Sequence, residues 1–332
     1  MKINMNPNFL DYLVDPETRE DLRLEVYSSD NGRIITGRLY SSTNSYEIVD
    51  GIPRFVKTSA KKNYASSFGF QWNRWPKIQF ENQNLGRPME GHTSQMFRRI
   101  TTLNDSDFKD KLSIDFGCGS GRFLDLVSSN GGLVIGLDLS DAVESAGEIF
   151  KNNPKVLVCQ ADILHSPIRD QVADFVYSIG VLHHTPSFRE GVTEISRVAK
   201  DGALISISVY GSGGYYDDSI VTLYRRFFNF CNPLFGYFLP WIYSVLMVVF
   251  TRPLYRLPRV WKICRPLLGY FPCIQLRDIR WSILDTFDSL TPKFQRGINH
   301  FELYHSLQNS SIVQIAPSDW GGTALTGKKL TT

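Results

Sequence analysis

Cysteine is scarce in this chain and comes late. The five, Cys118, Cys159, Cys231, Cys264 and Cys273, form no C-x-x-C pair anywhere in 332 residues, so the sequence shows neither a disulfide framework nor a cysteine-pair metal motif. They read as reduced thiols of a cytoplasmic protein, and no metal is expected. The first residues, MKINMNPNFLDYL, lack the uninterrupted apolar stretch and small-residue cleavage site of a secretory signal. A surplus of one charge is missing too. The 36 Lys and Arg against 33 Asp and Glu leave a net +3, whereas phosphate recognition normally concentrates basic residues on one face. Nucleic acid is therefore not an expected partner. Internal repeats and low-complexity tracts are absent as well. What remains is a chain with 42% hydrophobic residues, ordinary for a globular protein and long enough for one large domain with appendages.

Residues 1–57 alternate like short strands at 22–26, 33–40 and 45–49, with Asn31-Gly32 and Asp50-Gly51 supplying turn chemistry. Residues 58–110 form an aromatic-rich linker. Its stretch 61–102, which holds Phe68-Gly69-Phe70-Gln71-Trp72, is expected to be helical and to pack on the core. From residue 111 to 332 short apolar runs alternate with amphipathic segments, the pattern of a parallel sheet flanked by helices. Strands are expected at 112–116, 133–137, 156–159, 173–177 and 203–209, and helices at 121–129, 140–152 and 187–198. The fold class is α/β, a doubly wound and mostly parallel sheet with a small N-terminal β module and a helical insertion.

The first strand of that domain runs into Gly117-Cys118-Gly119-Ser120-Gly121 and then into a helix. A glycine-rich turn at the carboxyl end of a strand is where open α/β sheets bind ligands, and glycine lets the backbone approach a ligand without a Cβ clash. A dinucleotide fingerprint starting at Gly117 needs its third glycine at Arg122. The observed G-x-G-x-G spacing favours adenosylmethionine over a nicotinamide cofactor. Asp138 ends the second strand in Gly136-Leu137-Asp138-Leu139-Ser140, where a carboxylate can accept bonds from both ribose hydroxyls. The competing role, a helix N-terminal acid, is already filled by Ser140. Asp162, in Gln160-Ala161-Asp162-Ile163, stands where it could accept from an adenine amino group, or be an ordinary loop acid. Beside the turn comes Ser178-Ile179-Gly180-Val181-Leu182-His183-His184.

In that order and spacing, IDFGCGSGR, GLDLS, QADI and DFVYSIGVLHHTP resemble class I S-adenosylmethionine-dependent methyltransferases, over 112–210. The resemblance implies a seven-stranded Rossmann-like sheet and S-adenosylmethionine as cofactor. It places Asp115 under the turn or against the methionine amino group, Gly117, Cys118, Gly119 and Gly121 beneath the cofactor, Asp138 on the ribose and Asp162 on the adenine. Leu139, Ala161, Ile163 and Ser178 complete the implied contact set. The N-terminal module, ending in Asp50-Gly51-Ile52-Pro53, resembles a zinc-ribbon-like domain fused to, or partnering, many methyltransferases. That family often carries a cysteine pair around Val14-Asp15-Pro16; this chain has no cysteine before Cys118, so a metal-free version is expected.

The cofactor's sulfonium already activates its methyl group, so the chain mainly has to align an acceptor, and proximity supplies most of the acceleration. A hydroxyl acceptor must lose its proton as the bond forms, work suited to a histidine near neutral pKa. His183 and His184 are the candidate bases; a role in supporting a neighbouring side chain or in starting the helix ahead of Thr185-Pro186 competes, and both rings cannot enter one pocket.

An insertion follows at about 213–275. From 219 to 275 it holds seven basic residues, Arg225, Arg226, Arg252, Arg256, Arg259, Lys262 and Arg265, and no acidic one. The uncharged run 227–251 has the length of a membrane span, roughly 20 residues, but Asn229, Asn232, Pro233 and Pro240 interrupt it. A helical lid over the acceptor site, dipping into an anionic membrane interface, is expected; a buried helical subdomain competes. The segment around Phe287-Asp288-Ser289-Leu290-Thr291-Pro292 resembles one in methyltransferases of surface-polysaccharide or secondary-metabolite pathways, making Asp288, Gln295 and Arg296 acceptor-site candidates. Residues 312–315 are expected to return as an antiparallel strand, and the tail from Gly321 to be mobile. The leading expectation is O-methylation of a small-molecule or lipid-linked saccharide; a tRNA methyltransferase and a non-catalytic methyltransferase-like scaffold stay open.

Overall fold

A computed structural model describes residues 5–56 and 64–330; expectations for 1–4, 57–63 and 331–332, parts of the module, linker and tail, lie outside these residues. Strands β1 (Arg23–Asp30), β2 (Arg33–Tyr40), β3 (Ser45–Val49) and β4 (Ile52–Pro53) form an antiparallel sheet in that order. Two-residue turns join β1 to β2 and β3 to β4, because Asn31-Gly32 and Asp50-Gly51 both accept positive φ, 50° and 75° in the first, 50° and 73° in the second.

Helices α1 (Ser66–Arg74) and α2 (His92–Thr101) follow. Among the described residues the linker is α-helical only in these two pieces, with short 3-10 turns at Glu81–Gln83 and Asp105–Phe108, since Pro76, Gly86, Pro88 and Gly91 interrupt the stretch between them. The chain then alternates through β5 (Leu112–Phe116), α3 (Arg122–Ser129), β6 (Leu133–Asp138), α4 (Ala142–Phe150), β7 (Val156–Gln160), β8 (Ala173–Ile179), α5 (Phe188–Val198) and β9 (Ala199–Val209). Helices α6 (Ser219–Phe235), α7 (Phe238–Tyr255), α8 (Pro258–Leu268), α9 (Ile279–Leu290) and α10 (His300–Asn309) lead to β10 (Ile312–Pro317) and β11 (Thr323–Lys329).

The seven-stranded sheet has the order β10-β11-β9-β8-β5-β6-β7. β5 pairs in parallel with both β6 and β8, so the topological switch falls at the carboxyl end of β5, beside the glycine turn. All five residues of β5 are buried, as a strand covered on both faces requires.

Two expectations about the carboxyl end change. The segment from Gly321 is not a free tail: Thr323–Lys329 is inserted between β9 and β10 and pairs antiparallel with both. Its Thr-Ala-Leu-Thr-Gly-Lys-Lys sequence carries little hydrophobic signal, and only the neighbouring strands bury it. β10, antiparallel to β11, therefore runs with β9, and β11 is the reversed strand.

The N-terminal module is not separate from this core. Met5, Phe9, Leu13 and Leu39 share one hydrophobic cluster with Ile114, Leu137 and Ile168, and Phe55 N donates to Gln160 O at 2.8 Å along β7. Within the module the buried Asp15 carboxylate accepts from Tyr46 OH at 2.9 Å, Asn44 Nδ2 at 3.0 Å and Glu17 N at 2.8 Å. It thereby gathers three chain segments around one charge.

Candidate cofactor and acceptor site

Past β5 the backbone turns through Gly117, with φ of 94°, and Gly119, with φ of 55°. A Cβ on Gly117 would meet Val181 at 2.4 Å, and one on Gly119 would meet the Trp72 indole at 2.8 Å; both contacts are too close for any larger residue. Gly117 N and Cys118 N donate to Leu137 O at 2.8 and 3.0 Å, which ties the turn to the end of β6. Asp138 completes the clamp: one carboxylate oxygen accepts from Gly119 N at 2.9 Å, the other from Ser140 N and Oγ at 2.8 and 2.6 Å. Burial raises its pKa above the ordinary value, and these hydrogen bonds oppose that rise.

Above the turn lies a cavity of about 740 Å³, within the roughly 300–1,000 Å³ of small-molecule and cofactor clefts. Gly117, Cys118, Gly119, Asp138, Leu139 and Ile163 line it on the sheet side. α1 closes it with Phe68, Gln71 and Trp72, and α9 walls it with Trp281, Leu284, Asp285 and Asp288. Among the described residues none of the lining comes from 219–275; the insertion gives Gly213, Gly214 and Tyr216. The expected lid over the acceptor site is thus supplied by α1 and α9, because α7 packs along the outside of α9.

The remaining sequence candidates divide by position. Asp115 is 1% exposed, lies beneath the turn rather than on the cavity wall, and leaves Oδ2 without a partner; burial pushes its pKa well up, with Arg122 opposing. Gly121, Ala161 and Ser178 also stand behind the wall, Ser178 Oγ donating to Phe116 O at 2.9 Å. Asp162 is not part of the cavity wall; it accepts from Leu164 N at 3.0 Å and from Tyr64 OH at 3.3 Å, and Tyr64 lines the cavity. Asp288 is brought in. Gln295 and Arg296 are not: they line a separate groove on the far side of the 182–185 turn, where Arg296 pairs with Glu302 at 2.7 Å.

The two histidines separate in the same way. His183 faces the groove of Gln295, and its Nδ1 accepts from Tyr210 N at 3.3 Å. His184 lines the cavity. Its Nδ1 donates to Phe294 O at 3.1 Å, leaving Nε2 buried without a partner. Burial drives the His184 pKa down to about 3, against the help of the Phe294 carbonyl, so the ring is neutral and weakly basic.

Of the opposite wall, sequence reading named Asp288 but missed Asp285, Gln71 and Arg122. Asp285 and Asp288 stand one turn apart on α9 and both face the cavity, a spacing visible as i, i+3 in Asp285-Thr286-Phe287-Asp288 once that stretch is known to be helical. Tyr210 OH donates to Asp288 at 3.0 Å. Asp285 is pushed up to about 7 by burial and then by the Asp288 charge, with Arg122 opposing. Gln71, 2% exposed, lines the cavity and donates a hydrogen bond to the Asp288 carboxylate, while its Oε1 is buried without a partner. Arg122 is the one Lys or Arg among the described residues of the wall; burial lowers its pKa to about 10, while Tyr210 and the neighbouring acids raise it. A glycine turn that excludes any Cβ, a ribose-side carboxylate and a cation able to meet a carboxylate fit an amino-acid-bearing nucleoside.

This topology and this turn define a class I methyltransferase domain whose cofactor is S-adenosylmethionine. Residues 114–207 match the family model described as a methyltransferase domain. A protein of Methanocaldococcus jannaschii is 27% identical over 199 residues, 59% of this chain and 82% of that protein. A tRNA (carboxymethyluridine(34)-5-O)-methyltransferase of Arabidopsis thaliana is 32% identical over 205 residues, 60% of this chain and 44% of that enzyme. A solved S-adenosyl-L-methionine-dependent methyltransferase of Methanococcus maripaludis is 14% identical, with a TM-score of 0.44, over 82% of this chain and 96% of that one. The chain spans about four-fifths of the archaeal relative and less than half the length of the other curated relatives it matches.

Proposed function

We propose that the protein methylates an oxygen of a hydroxyl-bearing acceptor, a small molecule or lipid-linked saccharide, held between the glycine turn and α9. The observation that carries this reading is the wall opposite the turn, where the carboxyls of Asp285 and Asp288, one turn apart on α9, present hydrogen-bond acceptors to one cavity. Such a wall asks for a ligand rich in O–H or N–H donors. Bound there, S-adenosylmethionine supplies an activated methyl group and leaves as S-adenosylhomocysteine. The chain's part is to orient the acceptor and take its proton. Asp285 suits that role, since a base poised near the working pH is both free to accept and strong enough to do so. His184, with its depressed pKa, is the weaker candidate, and His183 lies off the cavity.

A tRNA acceptor is the second reading, favoured by the likeness to the plant tRNA methyltransferase. Against it, the wall beyond the turn holds carboxylates and a single arginine, a poor complement to phosphate. Incubating the protein with methyl-labelled S-adenosylmethionine and an extract of the source cell tests both. Label is expected in a nuclease-resistant fraction, with the methyl held on the acceptor as a base-stable methyl ether. Label lost on ribonuclease treatment would move the assignment to RNA, and absence of cofactor binding by calorimetry would leave a non-catalytic scaffold.

A further inference from the structure

We infer that the outer face of α6, α7 and α8 seats the protein on an anionic lipid surface. Large apolar side chains stand in solvent along all three helices: Phe230 is 82% exposed, Leu234 81%, Phe250 71%, Ile263 77% and Leu267 71%. Soluble monomers rarely leave a contiguous apolar patch of this kind uncovered, and such patches mark interaction sites. Arg226, Arg256, Arg259 and Lys262 are exposed on the same helices, within a stretch, 219–275, that holds no acidic residue. Apolar anchors interleaved with cations are what an interfacial helix needs: the former enter the acyl boundary while the latter stay at the headgroups.

Two other occupants fit less well. By length and apolarity α7 could cross a membrane. Yet one stripe of it, Pro240, Ser244, Val248 and Thr251, is buried, and Gln275 Nε2 donates to Val248 O at 3.0 Å. Arg252, near its end, donates to the carbonyls of Leu276 and Arg277. α7 is therefore held along the protein, and its opposite side is left to face a surface. A second copy of the chain, docked symmetrically through this face, would bring two basic segments together with no carboxylate in 219–275 of either to pair their cations.

The seat adjoins the cavity. Tyr237, at the start of α7, shares a 2.6 Å hydrogen bond with Ser66 and packs against Phe70 at 5.7 Å, both on α1, the helix that lays Trp72 over Gly119. Lipid contact along α7 thus brings the roof of the cavity close to the bilayer, whatever the acceptor.

Flotation of the full chain with vesicles tests the inference. Phosphatidylcholine vesicles containing phosphatidylglycerol are expected to carry the protein upward, and pure phosphatidylcholine vesicles to carry much less. Two variants confined to exposed positions, Arg256→Glu/Arg259→Glu/Lys262→Glu and Phe230→Ser/Phe250→Ser, should each lower the vesicle-bound fraction on the order of tenfold. Their S-adenosylmethionine affinity and melting temperature should match the parent, which separates a lost seat from a lost fold. Failure of the parent to float with anionic vesicles, or unchanged flotation of both variants, overturns the proposal. A dimer in light scattering that Phe230→Ser/Phe250→Ser dissolves assigns the face to a second copy and likewise overturns it.

Discussion

The carboxylate of Asp138 accepts a hydrogen bond from the backbone amide of Gly119 at 2.9 Å, so the residue that closes β6 also holds the glycine turn that closes β5. The same side chain lines the cavity. Shaping the turn and lining the cavity therefore fall to one carboxylate.

Replacing Asp138 with alanine is expected to weaken S-adenosylmethionine binding by about 1 to 3 kcal/mol, the range for hydrogen bonds to a charged group. Calorimetric titration measures it. An affinity equal to that of the parent would remove Asp138 from the site.

For Asp285 the expectation concerns pH. With its pKa near 7, the carboxyl is protonated below that value and able to accept a proton above it, so kcat should rise with pH through an inflection near 7. Asp285→Asn should abolish the inflection along with most of the turnover, and cofactor affinity should persist. Stability should move the other way. A folded pKa raised above the ordinary 3.8 means the folded state binds the extra proton, so this group's contribution declines as pH rises between the two values. Asp285→Asn should therefore stabilise the protein at neutral pH, by about 1 to 2 kcal/mol once cavity solvent is allowed for, visible as a higher melting temperature.

The histidines give the discriminating comparison. His184→Ala is expected to leave the pH inflection in place and to lower kcat by less than the roughly 10²–10⁴-fold typical of a lost general base. His183→Ala should cost stability, about 1 to 3 kcal/mol from packing and the lost Tyr210 contact, with the cofactor affinity unchanged. An inflection that disappears in His184→Ala but survives in Asp285→Asn would hand the proton to the histidine.

Asp15 predicts acid sensitivity of the N-terminal module. Burial raises the pKa of this carboxyl, but hydrogen bonds from Ser41, Asn44, Glu17 N and Tyr46 outweigh it and hold the group well below its usual range. A depressed pKa stabilises the fold above the ordinary value of 3.8 and loses that contribution as pH falls below it. Asp15→Ala should cost about 2 to 4 kcal/mol at neutral pH and flatten the stability profile on the acid side, as followed by denaturant unfolding.

Much of the fold was legible because its signals are local. The buried strand runs 112–116, 133–137 and 156–159 differ from β5, β6 and β7 by at most one residue at an end, since parallel strands buried on both faces read as short, mostly apolar runs, here with only Ser113 and Asp115 as polar residues inside them. The glycine turn and Asp138 were equally readable, each set by immediate neighbours. β11 was not: a lysine-containing, glycine-interrupted segment becomes a strand only when β9 and β10 offer it edges. Of the wall across from the turn only Asp288 was, for Gln71 precedes the first core strand and Asp285 follows the whole insertion.

By itself, then, the amino-acid order determined the alternation of strands and helices, the turn under the cofactor and the acids at the strand ends, because each depends on φ preferences and hydrophobic period within a few residues. Tertiary packing alone decided which distant side chains meet. It set α1 and α9 across from the turn, sent His183 and Gln295 to another groove, and left the apolar face of α6–α8 in solvent, since helix placement depends on the fit of whole surfaces that no local spacing encodes.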